Sequence, residues 1–515
     1  MLTGTLWNYA AAIVAAFLQL GYTAYTGRAV SAAAFGAFAS ALSITQLLGY
    51  FANAGLATTV LRSRELTHHL LVATVRLGML SGLVCLAVVE STAPLWASLW
   101  NAPEATGLLR VLGLQFLFLP VGAVCTAGLR RLLAQRTAVL VETGSQAAGL
   151  LTGTLLLEGG WNPMGLAVTS VTTQLGIALL AGFLVAGRLP LLSGQSKGRP
   201  IRFRELAGSS GFLSGHQLAQ YATNTVPLWA AATLLGPVPA GYYSRAALFT
   251  GLLLTMLAAG LSRVAIPALT RVRGQALGHD DPSDARIPDG REPPAVRRAA
   301  TDVLLVASAL SFLPFAFLAG TGPRALELLL GPGWTEAARL VPLLSVFSAV
   351  AVLYAVGLSV DTVCGAARRM TVAQAAAAAA TLIGAVVATA GHSLTLLVVS
   401  ALAGQLSGLT VQLWAWRGGR VIEARRLWTG YAVHAVLALV VYAAGVAVSR
   451  IAVGRSSAAT VLVLLAVALV AAACHPLRKR LPLYQVAAAR GLLGLELPLP
   501  GSGRQRGRIT RPQAR

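Results

Sequence analysis

Along most of this chain the polar residues disappear for about 20 positions at a time and return in short clusters. The apolar runs are continuous. They lack the period-two alternation of lipid-facing barrel strands. A run near 20 residues, coiled as helix, spans the roughly 30 Å hydrocarbon layer of a bilayer. Lipid offers no hydrogen bonds, so such a run must satisfy its own backbone, and a helix does. Fourteen helices are predicted, near 6–27, 35–57, 70–89, 108–128, 138–157, 163–186, 209–235, 241–266, 301–320, 338–360, 371–390, 394–416, 428–448 and 458–474. The expected fold class is an all-α polytopic membrane protein.

The pattern repeats within itself. Shifted by 205 residues, Gly241–Leu261 lies over Gly36–Leu56 without a gap, and eight of the 21 positions are identical. The second and eighth helices are therefore read as one element present twice, the way many transporters are built. The expected organisation follows: a first lobe over 1–187 with helices one to six, a linker over 188–208, and a second lobe over 209–416 with helices seven to twelve. Helices thirteen and fourteen fill 417–475, and a basic tail runs over 476–515. A parallel repeat of this kind predicts a pseudo-twofold axis along the membrane normal.

Composition agrees and charge adds a direction. Of 515 residues, 56% are hydrophobic and 11% charged, against about a quarter charged in soluble domains. The net charge of +23 would suit nucleic acid, but the arginines sit between the apolar runs. With the N-terminus placed in the cytoplasm, 31 of the 40 Lys and Arg fall in inside segments and four in outside ones. That asymmetry predicts a multi-pass membrane protein with both termini cytoplasmic. Two inside loops are long, and Gly274–Arg298, rich in Asp and Pro, reads as a flexible loop without a site. Four scattered cysteines, all in apolar runs, predict neither a disulfide framework nor a metal site. No nucleotide-binding loop is visible, which argues against direct ATP drive.

Three motifs lie in register with the helices. They are Phe35-Gly36 with Ala54-Gly55-Leu56, Gly241-Tyr242-Tyr243-Ser244-Arg245-Ala246 followed by Arg263-Val264-Ala265-Ile266-Pro267, and Leu330-Gly331-Pro332-Gly333-Trp334. Together they resemble the Wzx-type polysaccharide and O-antigen flippases of the multidrug/oligosaccharidyl-lipid/polysaccharide superfamily, over roughly residues 6 to 416. The resemblance implies two six-helix lobes, as in the related multidrug exporters, with two added C-terminal helices. It also implies export of an undecaprenyl-pyrophosphate-linked oligosaccharide across the plasma membrane by alternating access, in lipopolysaccharide or related envelope synthesis. Lipid-linked oligosaccharide and the bilayer would be the partners, with a glycan polymerase and export machinery beside them. No cofactor is implied. Asn53 and Pro227 stand where many relatives carry Asp, which leaves coupling to protons or sodium open. Two rival readings are a small-molecule antiporter, which would want acids in its cavity, and a membrane glycan polymerase or ligase, which would want a long catalytic outside loop.

A charge in mid-bilayer costs about 2.5–3.5 kcal/mol on insertion scales, so it usually faces a cavity. Arg245, Arg76 and Arg263 are candidates for holding pyrophosphate, because a guanidinium donates paired hydrogen bonds to phosphate. For Arg76 and Arg263 the competing reading is a side chain reaching the interface. His216, Gln220 and Asn224 recur every four residues with Tyr221 beside them, giving the seventh helix one polar face. That face suits sugar binding or, equally, hydrogen bonding between helices. Glu142 and Asp361 are the coupling candidates, with interfacial ion pairing as the plainer role.

Overall fold

The computed structural model describes residues 2–53, 56–63, 67–132, 134–187, 220–221, 223–278, 291–417 and 420–451. The expected linker over 188–208, His216, Ala54, Gly55, the fourteenth helix and the basic tail lie outside them. The described residues are mostly helical and contain no strand. The first set of helices is α1 (Leu2–Ala29), α2 (Ala32–Asn53), short α3 (Leu56–Arg62), α4 (His68–Leu99), α5 (Glu104–Gly113), α6 (Leu119–Arg131), α7 (Gln135–Glu158) and α8 (Met164–Ala186). The second is α9 over 223–230, with a π-helical turn at Ala231–Leu235, then α10 (Pro237–Leu277), α11 (Pro294–Leu330), α12 (Thr335–Val363), α13 (Ala367–Ala390) and α14 (Leu394–Ala415). α15 (Ala424–Ile451) follows. Ten spans among the described residues are long and apolar enough to cross a membrane, α5 and α6 counting as one. α7 is not among them although it has 24 residues, because Glu142 and Gln146 interrupt its apolar run.

Each set repeats the other's neighbours. α7 packs on α8 as α13 packs on α14, and α6 meets α8 as α12 meets α14. α4 packs on α5 as α11 does on α12, while α2 touches α4 and α5 as α10 touches α11 and α12. α15 packs on α11, outside this scheme. Lipid tails are as apolar as leucine, so small residues that let backbones approach hold such pairs together. A Cβ added to Gly149 or Gly153 of α7 would strike Thr173 or Thr169 of α8. In the second set, Gly404 of α14 sits on Thr381 of α13, and Gly384 of α13 on Ser400 of α14.

The long helices outrun their predicted spans. α10 begins at Pro237 and continues to Leu277, and α11 starts at Pro294. The expected loop Gly274–Arg298 is thus shorter, and its end is a packed joint. Glu292 is buried and pairs with buried Arg273 at 3.1 Å, whose Nη1 also donates to the Val363 carbonyl at 3.0 Å. Apolar runs mark where hydrocarbon ends, whereas a helix continues as long as its next residues are partnered.

Candidate functional site

The two helix sets meet at the arginine-poor end through backbone. A Cβ placed on Gly36 of α2 would fall on the Pro237 carbonyl of α10, and one on Gly241 of α10 would fall on the Ala32 carbonyl of α2. Ala32 and Pro237, like Gly36 and Gly241, are 205 residues apart, the shift of the sequence repeat. The contact is therefore reciprocal, as a twofold axis passing between the two glycines requires. Around it pack Phe35 and Trp334 edge to face at 5.6 Å, and Tyr242 on the same indole at 6.0 Å. Trp334 Nε1 donates to the Gly27 carbonyl at 2.7 Å, and Leu330 occupies the space beside Gly27. Phe35-Gly36, Gly241-Tyr242 and Leu330–Trp334, a part of each of the three sequence motifs, converge on this seal.

Beyond the seal the helices part around a cavity of about 1360 Å³ that runs toward the arginine-rich end, past Asn53 and Ala57 of the first set and Ala258 of the second. Among the described residues its wall carries nine carboxamides: Gln19, Gln46, Asn53, Gln115, Gln146, Gln174, Gln220, Asn224 and Gln405. Two charged residues among them face it, Glu142 and Arg245. The Glu142 carboxylate accepts two hydrogen bonds from Arg130 Nη2, at 2.7 and 2.8 Å, so its charge is met locally. Arg245 has no carboxylate within ion-pair distance among the described residues. It is 9% exposed, its guanidinium lies 3.3 Å from the centre of the Phe35 ring, and its Nε is buried without a hydrogen-bond partner. Arg245 forms the roof of the cavity, directly under the seal.

The predicted polar face of the seventh helix both lines the cavity and ties helices. Tyr221 OH donates to the Ser43 carbonyl of α2 at 2.8 Å, and Trp229 Nε1 donates to Ser43 Oγ at 2.7 Å. Asn224 Oδ1 accepts from Gln405 Nε2 of α14 at 3.0 Å and remains exposed to the cavity. Gln220 lines the cavity beside them. The other candidates are placed elsewhere. Arg76 and Arg263 are exposed and do not line the cavity. Asp361 is fully buried away from it, accepting from Gln412 Nε2 at 3.0 Å and Trp416 Nε1 at 2.9 Å, with Arg369 Nε at 3.8 Å; it ties α12, α13 and α14. A carboxylate buried with this many donors is held in place by them. Gln19, Gln46, Gln115, Gln146, Gln174 and Gln405 were missed, and Phe35 was read only as part of a motif. A lone carboxamide inside an otherwise apolar helix was the available signal for the glutamines, since lipid would leave it unpaired.

Residues 26–279 match the model of a family described as polysaccharide biosynthesis protein. No curated protein matches the chain by sequence. Among solved structures, the chain is similar to the lipid II flippase MurJ in an inward closed conformation, at 11% identity, with 93% of this chain and 99% of that one covered and a TM-score of 0.69. It is similar to a multidrug resistance MATE family transporter of the MOP superfamily in an inward-facing conformation, at 14% identity over 82% of this chain and 99% of that one, TM-score 0.61. An outward-facing MATE transporter matches at 15% identity over 83% and 96%, TM-score 0.54. The fold is the one these transporters share.

Proposed function

We propose that the chain is a flippase that carries a lipid-linked oligosaccharide across the membrane by alternating access between its two lobes. The observation that carries this reading is the cavity wall: many carboxamides, one locally neutralised acid and one cation without an acidic partner. A carboxamide both donates and accepts, which matches sugar hydroxyls. An arginine with a free hydrogen-bonding edge matches a phosphate or pyrophosphate. The family match and the likeness to a lipid II flippase point the same way. A small-molecule antiporter for organic cations fits less well, because Glu142 is engaged by Arg130 and Asp361 is outside the cavity. The lipid tail stays in the bilayer while the head group occupies the cavity, so the cavity opens sideways between the two lobes. The glycan is that of an envelope polysaccharide, O-antigen being the instance the motifs suggest, and the membrane is the bacterial plasma membrane.

A strain lacking the chain tests this. It should accumulate undecaprenyl-linked glycan on the cytoplasmic leaflet and lose the surface polysaccharide. Normal surface glycan with no trapped lipid-linked precursor would rule the reading out.

A further inference from the structure

The internal repeat is symmetric at the seal and breaks just beneath it. Gly36 and Gly241, Ala32 and Pro237 exchange reciprocal contacts. Next to the glycines Phe35 is matched by Ala240, and one turn further on Ser40 is matched by Arg245. These are two of the positions at which the halves differ, and the two departures meet: the Arg245 guanidinium lies on the Phe35 ring at 3.3 Å. Phe35 is fully buried and adjoins Gly36, so moving its ring disturbs the α2–α10 contact itself. Arg245 meanwhile lines the cavity beneath the same contact, and its buried Nε has no hydrogen-bond partner.

We infer that the Phe35–Arg245 stack is the trigger by which an anionic cargo opens the seal. The inference rests on the flippase reading and adds a positioning residue, Phe35, that touches no cargo. A cation is attracted to an aromatic face by its charge, and the attraction is largest when both are desolvated, as here. A pyrophosphate paired to the guanidinium edge cancels much of that charge. The hold of the second lobe on Phe35 then weakens, and the glycine contact beside it loses its clamp. A ligand shifts a two-state equilibrium only through different affinity for the two states. Here the difference is that Arg245 must serve the ring when the seal is closed and is free for the anion when it is open.

The test places spin labels on both sides of the seal, at Ala29→Cys and Val238→Cys, in a chain whose four native cysteines are replaced. Distances are read by pulsed electron resonance in lipid nanodiscs, with and without undecaprenyl pyrophosphate, and bound lipid is followed by native mass spectrometry. The wild-type chain should show one short distance, and a longer one should appear as undecaprenyl pyrophosphate binds. Phe35→Leu keeps the apolar volume and removes the ring. It should raise the open fraction without lipid by about fivefold or more, and added lipid should change it little. Phe35→Tyr keeps the ring and should behave as wild type. Bound lipid with no change in the wild-type distance would overturn the trigger while leaving the flippase reading standing, and it decides the matter alone if Phe35→Leu does not fold. A folded Phe35→Leu chain with wild-type distances and response would overturn it as well. Failure of the lipid to bind at all would overturn the flippase reading and the trigger with it.

Discussion

The two stretches of α10 behave as if they belonged to different helices. From Pro237 to Thr250 it buries Ala240, Gly241, Tyr243, Arg245, Ala246 and Thr250 against the other lobe and its own. From Gly251 to Val264 no residue is buried, although the sequence is just as apolar. Glycine makes the contrast sharp. At Gly241 an added Cβ would collide with a backbone carbonyl, while at Gly251 and Gly260 it would meet nothing within 4 Å. The same residue type is a point of closest approach at one depth and open wall at another. What separates them is the partner helix: α2 crosses α10 at Gly36 and diverges afterwards. A scaffold that alternates access needs both kinds of surface on one rigid rod, one to seal and one to stand clear.

The largest expected effect comes from spoiling the seal. Gly241→Val places a branched side chain where the Ala32 carbonyl lies, and overpacking of this kind typically costs about 1–3 kcal/mol, more against backbone. Export should fall at least about tenfold at matched protein level, since the closed state is the one penalised. Gly36→Val should do the same, because the contact is reciprocal. Normal export by both variants would mean the glycine contact is incidental. Arg245→Ala comes next. It should abolish glycan export in a complementation assay, and Arg245→Lys should restore little, because a lysine offers a point charge in place of a paired donor fork. Full export by Arg245→Ala would reduce the roof cation to a structural residue.

How much of this contrast could be read from the chain depends on what sets each feature. Helix positions among the described residues and the repeat were legible, because apolar runs and a 205-residue shift are local facts of sequence. The three motifs were legible as motifs, and Arg245 stood out as a charge in an apolar run. That they meet at one seal was not legible, since Gly27, Gly36, Gly241 and Trp334 are brought together by lobe packing alone. Arg76 and Arg263 were candidates beside Arg245 in the sequence, yet they are exposed and do not line the cavity. A hydropathy pattern reports depth in the membrane and carries little information on rotation about the helix axis. Asp361 shows the same limit in reverse: a single acid in an apolar helix invites a coupling role, and its donors Gln412 and Trp416 lie 51 and 55 residues away. The amide wall was recoverable in part, one glutamine per helix, but only the fold turns those glutamines toward a common space.

A smaller effect tests how the seal is buttressed. Trp334→Phe keeps an aromatic ring against Phe35 and Tyr242 but removes the Nε1 donor to the Gly27 carbonyl. Loss of one neutral hydrogen bond contributes about 0.5–1.5 kcal/mol. The variant should lower the apparent Tm in detergent by a few degrees and raise the open fraction in the spin-label experiment severalfold, while export is retained. A wild-type distance distribution would assign the Trp334 motif to joining α11 and α12 rather than to the seal.

The smallest effect should come from the open stretch of α10, and its smallness is what gives the comparison its force. Gly251→Ala and Gly260→Ala add a methyl group where nothing lies within 4 Å. In a helix interior, alanine is favoured over glycine by about 0.8–1.0 kcal/mol in intrinsic propensity. Neither glycine has a positive φ, so the replacement meets no backbone strain. Both variants should therefore be as stable as wild type or slightly more so in thermal unfolding, with the seal distance unchanged. Export is the sharper readout. If α10 rocks so that this stretch stays clear of α2 throughout the cycle, both variants export normally. If the lobes close at the arginine-rich end through the repeat's own logic, Gly260 approaches α2 in the other state, and Gly260→Ala should slow export without changing stability, whereas Gly251→Ala should not. Equal, normal export by both would show that closure at that end uses other residues, and that the glycine contact at Gly36 and Gly241 has no counterpart there.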